Sequence, residues 1–313
     1  MPVHNAAPYL EASIRSILEQ RYTDFEFIVI DDGSTDGSAN IITSFRDDRI
    51  RFLRQPNAGI VAALNAGIAV ARGEFIARHD ADDLALTTRF SEQVTYLDAH
   101  PDVGLLGTWA TVTDAHNNQI GSMHHPMGHA AITYALIFDS ALVHPSVMMR
   151  KQVLHAVGGY VHDAKVFEDH VLWWRMAHIT RIANIPEELV RYRVLPSGAS
   201  RIGDREMRLV EQRRRNMSEA FREMDPRSLQ LLMYSGLRHT PISWQELRTV
   251  HRLLRRTIRR IGGSPEEQDH MRTDMNGRLM GFHLVQRTGL ATRVLDRLAK
   301  TIALALPTFD PRS

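Results

Sequence analysis

The sequence contains no cysteine. That absence removes disulfides, thiolate metal sites and cysteine nucleophiles together, and it fits a reducing cytoplasm. No apolar run approaches the ~18 residues of a membrane-spanning helix. No apolar stretch near the start reads as a secretory signal. Internal repeats and low-complexity segments are lacking, and the histidines fall in no recognised metal-ligand spacing. Lysine is scarce, so almost all the positive charge is arginine. What remains is ordinary: 313 residues, 43% hydrophobic and 24% charged, enough for two domains or for one domain with an extension. The net charge of +2 hides an asymmetry, because residues 201–313 carry +9 and residues 1–200 carry −7. An acidic front with a basic tail suggests a chemical module joined to a segment that meets anionic surfaces.

The front alternates strands and helices. Met1 to Asn5 reads as a loop and Pro8 to Gln20 as a helix with Leu10, Ile14, Ile17 and Leu18 on one face. Phe25 to Ile30 reads as a buried strand ending in Asp31-Asp32-Gly33-Ser34-Thr35-Asp36, where Ser34, Thr35 or Asp36 can cap the next helix. A short strand over 50–53, a turn at Gln55 to Gly59 and a small-residue helix from Ile60 to Arg72 follow. A strand over Glu74–Arg78 leads into Asp80-Ala81-Asp82-Asp83. Farther on are a helix near 87–99, a strand over 103–113, a loop over 114–126, a helix from about Val171 and a last strand over Glu188–Val194. This order predicts an α/β fold with an open sheet of mostly parallel strands, whose ligands sit beyond the strand carboxyl ends. The module boundary is placed near residue 200. Beyond it, Trp244, Leu247, Val250, Leu254, Ile258 and Ile261 fall at helical spacing, and Leu290, Val294, Leu298 and Ile302 form a second stripe.

Two acidic clusters occupy strand carboxyl ends. Packed carboxylates raise one another's protonation cost unless a cation joins them, and hard ions such as Mg2+ or Mn2+ take carboxylate oxygen and bring a diphosphate with them. A solvated turn or a helix cap explains each cluster alone. Two on one sheet edge point to a site.

The ordered set Pro2-Val3-His4-Asn5, Asp31-Asp32-Gly33-Ser34, Asn57-Ala58-Gly59, Asn65-Ala66-Gly67, Arg72-Gly73-Glu74, Asp80-Ala81-Asp82-Asp83, Gly158-Gly159-Tyr160, Glu168-Asp169 with Leu172-Trp173, and Tyr192-Arg193 resembles the family-2 glycosyltransferases. The resemblance covers roughly residues 1–200. It implies the GT-A fold, a Rossmann-like open mixed sheet for nucleotide-diphospho-sugars, as the catalytic domain over 1–200. Residues 201–313 would then form a basic helical C-terminal region that associates with a membrane or a partner, or simply packs as a helical subdomain.

The resemblance implies nucleotide-sugar binding by Pro2, His4, Asp31, Asp32, Asn57, Asp80 and Asp82, with Asp32 the main reader of the base. It implies Mg2+ or Mn2+ on Asp82 or Asp83 with Asp80 in support, the register among the three left open. Asp169 matches the base that deprotonates an acceptor hydroxyl with inversion at the anomeric carbon, and Glu168 supports it or competes for the role. The same pair also suits a helix N-terminus electrostatically. His144 and Trp173 are placed on the acceptor side. The expected donor is a UDP-sugar and the acceptor a glycan or lipid-linked glycan, at the cytoplasmic face of a membrane, in cell-surface or exopolysaccharide biosynthesis.

Two positions depart from the pattern. Relatives have a complete hydrophobic strand before Pro2, and Met1 falls at its last residue, so an unpaired sheet edge is expected, from a start inside that strand or in a weakened variant. Many relatives have histidine where this chain has Leu195. The alternative class is therefore a nucleotide- or glycan-binding partner that keeps the fold without turnover. A nucleotidyltransferase would need a Gly-rich triphosphate loop near the start, which is missing. Nucleic acid is not an expected partner, because no recognised binding module is present.

Overall fold

The computed structural model describes residues 1–161, 167–195 and 244–288. They fall into two compact units: Met1–Met127 with the chain from Ser140, and Gly128–Asp139 with the C-terminal helices. The stripe at Leu290 to Ile302 and the loop over 196–200 lie outside the described residues.

The first unit opens with β1 (Pro2–Val3), α1 (Ala7–Leu18), β2 (Phe27–Asp32), α2 (Ser38–Ser44), β3 (Ile50–Gln55) and α3 (Ile60–Val70). β1, β2 and β3 form a parallel sheet in that order, with Pro2 opposite Ile30 and Ile30 opposite Leu53. α1 forms because its apolar residues recur at helical spacing: Leu10, Ile14 and Ile17 are at most 1% exposed and pack in one core with Phe27 and Val29. Each such side chain gains about 1.5–3 kcal/mol relative to exposure. Asp36 ties two helix starts together, accepting the Ser38 N–H at 2.9 Å and the Ala7 N–H at 3.0 Å.

A second sheet is built from β4 (Phe75–Ala77), β5 (Leu84–Ala85), β6 (Val103–Thr113), β7 (Gln119–Met123), β8 (Met148–Arg150) and β9 (Arg181–Arg193), in the order β4-β8-β6-β9-β5 with β7 beside β6. It is mixed rather than mostly parallel: β6 and β9 run parallel, while its other pairs are antiparallel. α4 (Arg89–Ala99), α6 (Lys151–Ala156) and α7 (Glu168–Ala177) complete this unit.

The sequence reading of Met1–Asn5 as a loop is corrected, because Pro2–Val3 pairs with β2. Two residues are too few to show a period, and a proline is tolerated at the first position of an edge strand. The Met1 amine donates to Ile28 O at 2.9 Å, and burial pushes its pKa down to about 5. Beyond it lies a cavity of about 810 Å3, lined by Phe27 and Ile28 of β2, Leu64 and Gly67 of α3, and Phe75 and Ile76 at β4. It separates the two sheets.

The second unit holds α5 (His129–Ala135), α8 (Trp244–Ile261) and α9 (Pro265–Thr288), which pack on one another. Its interior takes Ala130, Ile132 and Tyr134 from α5, Val250, Leu254 and Ile258 from α8, and Met271 and Met275 from α9. Gly262 and Gly263, at φ +75° and +99°, make the turn between the long helices. Ser264 and Glu267 then form a reciprocal cap at 2.8 and 3.2 Å. Among the described residues no helix is long and apolar enough to cross a membrane.

Candidate active site

At the carboxyl end of the parallel sheet, the loops after β1, β2 and β3 bring His4, Asp32 and Asn57 together, with Asp31 beside Asp32 and Pro2 in β1 opposite Ile30. The His4 ring lies 2.9 Å from Asp32 O and 3.2 Å from the Asn57 amide. Asp32 accepts from Gln55 Nε2 at 2.7 Å and from the Ala58 and Gly59 N–H groups at 2.9 and 2.8 Å. Its carboxylate thus shapes the Asn57-Ala58-Gly59 turn. Asp31 is fully buried, accepts the Ser34 N–H at 2.9 Å and faces Arg54 Nε at 3.1 Å. Its side chain holds the loop rather than facing solvent. Gly33, at φ +72°, is required here, since an added Cβ would lie 2.7 Å from Asn57 N.

The turn between β4 and β5 carries Asp80, Asp82 and Asp83, and one ligand oxygen from each lies within 4.8 Å of the others. Long-range partners hold the turn. Arg193 of β9 donates its backbone N–H to Asp83 Oδ1 at 2.7 Å and its Nε to Asp82 O at 2.8 Å, and its guanidinium rests 4.8 Å over the Tyr9 ring. Buried Arg78 pairs with Asp80, and Ser13 Oγ donates to Asp80 O at 2.9 Å.

Burial, with Asp80 adding to it, pushes Asp82 up to about 6. Burial and then the charges of Asp80 and Asp82 push Asp83 well above the carboxylate range. Asp83 Oδ2 is buried and has no hydrogen-bond partner. A divalent cation would relieve both the repulsion and the orphaned oxygen, so these residues fit the metal that the sequence implied.

On the other side, Glu168 and Asp169 open α7. The pair is half-buried at the helix N-terminus, where the helix dipole favours negative charge. Burial first and Asp169 second push Glu168 up to about 7, and Asp80 adds to the shift, an electrostatic link to the acidic turn. His144 Nδ1 stands 4.0 Å from Glu168, and its Nε2 is 2.8 Å from the Tyr160 hydroxyl. Burial, followed by the Arg78 charge, holds His144 well below the usual histidine range, so it is neutral. Tyr160 is fixed by Asn65, whose side chain accepts its N–H at 3.0 Å and donates to its carbonyl at 2.8 Å. Gly159 permits that approach at φ +67°, where a Cβ would meet Asn65 Oδ1 at 2.8 Å.

Trp173, expected inside and on the acceptor side, is buried beside His144. It is 0% exposed and packs edge-on against His144 at 5.5 Å, so it has no free face for a sugar. Trp174 is buried as well. Four residues that hold the site were not singled out for it from sequence: Asn65, Arg78, Tyr160 and Arg193. Asn65, Tyr160 and Arg193 lay inside quoted motifs, and Arg78 stood two positions before Asp80.

The sequence model for "Glycosyl transferase family 2" matches residues 1–158. Three curated glycosyltransferases match at 31–32% identity, and this chain spans 63% to 66% of their length. The O-antigen biosynthesis glycosyltransferase WbnJ of Escherichia coli is 30% identical over 202 residues, 62% of this chain and 78% of WbnJ. Among solved structures, S. aureus TarS in complex with UDP-GlcNAc aligns with TM-score 0.60 and 16% identity over 97% of this chain and 89% of that one. The mannosyltransferase PcManGT of Pyrobaculum calidifontis, in complex with GDP-Man and Mn2+, aligns with TM-score 0.56 and 19% identity over 97% and 84%. At these identities the likeness is one of fold, and the fold is GT-A. The match over residues 1–158 covers half of the sequence, and by it this chain belongs to glycosyl transferase family 2.

Proposed function

We propose that the chain transfers a sugar, with inversion, from a UDP-sugar to a glycan or lipid-linked acceptor in the biosynthesis of a cell-surface or exported polysaccharide. The observation that carries this reading is the pairing of two carboxylate sites: Asp80, Asp82 and Asp83 within 4.8 Å of one another, and Glu168-Asp169 electrostatically linked to them. The first suits a divalent cation that would carry a diphosphate, the second a hydroxyl. WbnJ supports the pathway class and the UDP-GlcNAc complex of TarS supports the donor.

His4, Asn57 and the loop held by Asp31 and Asp32 form the base and ribose side. Asp82 and Asp83, with Asp80 behind them, would hold Mg2+ or Mn2+, which when bound neutralises the charge that grows on the departing diphosphate. Arg193 keeps the turn in shape for that role through bonds at 2.7 and 2.8 Å. Asp169 takes the proton of the acceptor hydroxyl as general base. Burial and then the neighbouring Asp169 raise Glu168 to about 7, so near neutral pH it competes less for the proton of the acceptor hydroxyl. His144, neutral and fixed by Tyr160, limits where Glu168 can turn. The enzyme would work at the cytoplasmic face of the membrane that carries its acceptor.

A second reading is a partner that binds nucleotide or glycan without turnover. One experiment separates the two. The protein is incubated with Mn2+ or Mg2+ and a panel of sugar nucleotides, and released nucleoside diphosphate is measured. Turnover is expected with a UDP-sugar, and Asp169→Asn should abolish it while donor affinity is kept. Tight UDP binding with no turnover by wild type supports the binding partner, and normal turnover by Asp169→Asn removes the base assignment.

A further inference from the structure

The strongest charged surface outside the site lies on α8. Arg248, Arg252, Arg255, Arg256, Arg259 and Arg260 are all exposed. At 100° per residue they fall within one arc of about 140°, over about 18 Å of helix. Among the described residues none of the six is in an ion pair. Glu246 is the one acidic residue in the 18-residue helix. The opposite side is already occupied, with Val250 and Leu254 0% exposed and Ile258 2% exposed inside the second unit. An amphipathic helix that anchors by insertion must offer its apolar side to the acyl chains. α8 has given that side to α5 and α9, and the side it leaves exposed is dominated by arginine.

We infer that the arginine face of α8 is a docking surface for an anionic phospholipid bilayer, which it meets at the headgroup level without inserting. The inference deepens the proposal of a lipid-linked acceptor and rests on it for its biological setting. Guanidinium groups pair with phosphate through parallel N–H donors and are less strongly hydrated than ammonium, so an all-arginine face suits a phosphate-rich plane. A single-stranded nucleic acid would be met by aromatic platforms among the cations. Between the arginines α8 carries Thr249 and Leu253 instead.

The test is co-sedimentation of the full chain with phosphatidylcholine vesicles, with and without phosphatidylglycerol. Binding is expected with the anionic vesicles alone and should fall steeply with added salt. It should weaken about fivefold for each Arg→Gln substitution along the face and vanish when all six are changed. Changing all six to lysine should retain most of the binding. Brominated acyl chains should leave tryptophan fluorescence unquenched.

Glutamine and lysine suit an exposed helix position, and equal melting temperatures confirm that the variants fold. Should the glutamine variant unfold, the lysine variant and the wild-type salt titration still decide. Equal binding to neutral vesicles, insensitivity to salt, or quenching overturns the inference. So does retention of binding by the folded glutamine variant, or tighter binding to duplex or single-stranded nucleic acid at the same salt. Release of UDP from the donor in solution is read in parallel. Loss of vesicle binding with UDP release intact concerns this surface, whereas absent UDP release with vesicle binding intact concerns the transferase reading.

Discussion

At the scale of single residues, the site is a problem in repelling charge. Asp82 is held at about 6 by burial and Asp80, so below that pH a proton competes with any cation for the acidic turn. Mn2+ or Mg2+ should therefore raise the melting temperature at pH 7.5, and the gain should disappear near pH 5. Chelation by EDTA should reverse it, and differential scanning fluorimetry reads all three. Glu168 carries the opposite lesson about stability. Its folded pKa of about 7 stands above the ordinary glutamate value of 4.5, so the folded state binds the extra proton between those limits. Its contribution is complete below the unfolded pKa and is lost as pH rises through the folded one. Glu168→Gln removes that loss. The variant should match wild type near pH 4 and exceed it above pH 7 by up to about 3 kcal/mol, measured by urea unfolding without metal. The acidic turn was legible in the sequence because its three carboxylates lie within four residues of one another at a strand end. Arg193 was not, because its partner Asp83 lies 110 residues away, and Arg78, though only two residues from Asp80, could as well have been a solvated charge until its burial was known.

At the scale of elements, α1 was legible from apolar residues at helical spacing, β2 from an unbroken apolar run and α3 from a run of small residues ended by Gly73. The misses have physical causes. β7 (Gln119–Met123) is exposed along nearly all its length, so no alternation marks it, and it stands by pairing with β6. The front half of β9 was lost to Pro186. That residue sits where the register with β6 jumps from Ile185 opposite Thr108 to Glu188 opposite Trp109, and such an irregularity is where a strand tolerates proline. The gap between the two sheets shapes the next prediction. Gly67 lies inside α3 and lines the cavity, and an added Cβ would meet Ile30 at 3.6 Å, an ordinary contact. Gly67→Ala should therefore gain helix propensity without a clash and stabilise the protein by about 0.5–1 kcal/mol, seen as a higher midpoint in urea. A lower midpoint would mean that the backbone of α3 needs glycine there.

At the scale of the whole molecule, the chain leaves its first unit at Met127, contributes residues 128–139 to the second, and returns at Ser140. Composition marked where the chain turns basic. It gave no sign that α5, an apolar helix fit for any core, packs with helices more than a hundred residues later. Glu267 makes that connection. Its carboxylate accepts Ser264 N at 2.8 Å, capping α9, and Ala130 N at 2.9 Å, at the start of α5. Burial opposes its ionisation, yet these N–H groups outweigh burial and hold it below the usual range, so its contribution is lost as pH falls through the folded value. Glu267→Ala leaves two helix starts with unpaired donors and should cost about 1–3 kcal/mol. The residues placed on the nucleotide side all belong to the first unit, so UDP affinity measured by calorimetry should not change. Amide exchange should accelerate in α5, α8 and α9 alone. If UDP affinity falls with the loss of protection, the two units do not respond as separate bodies, and the first depends on the cap that closes the second.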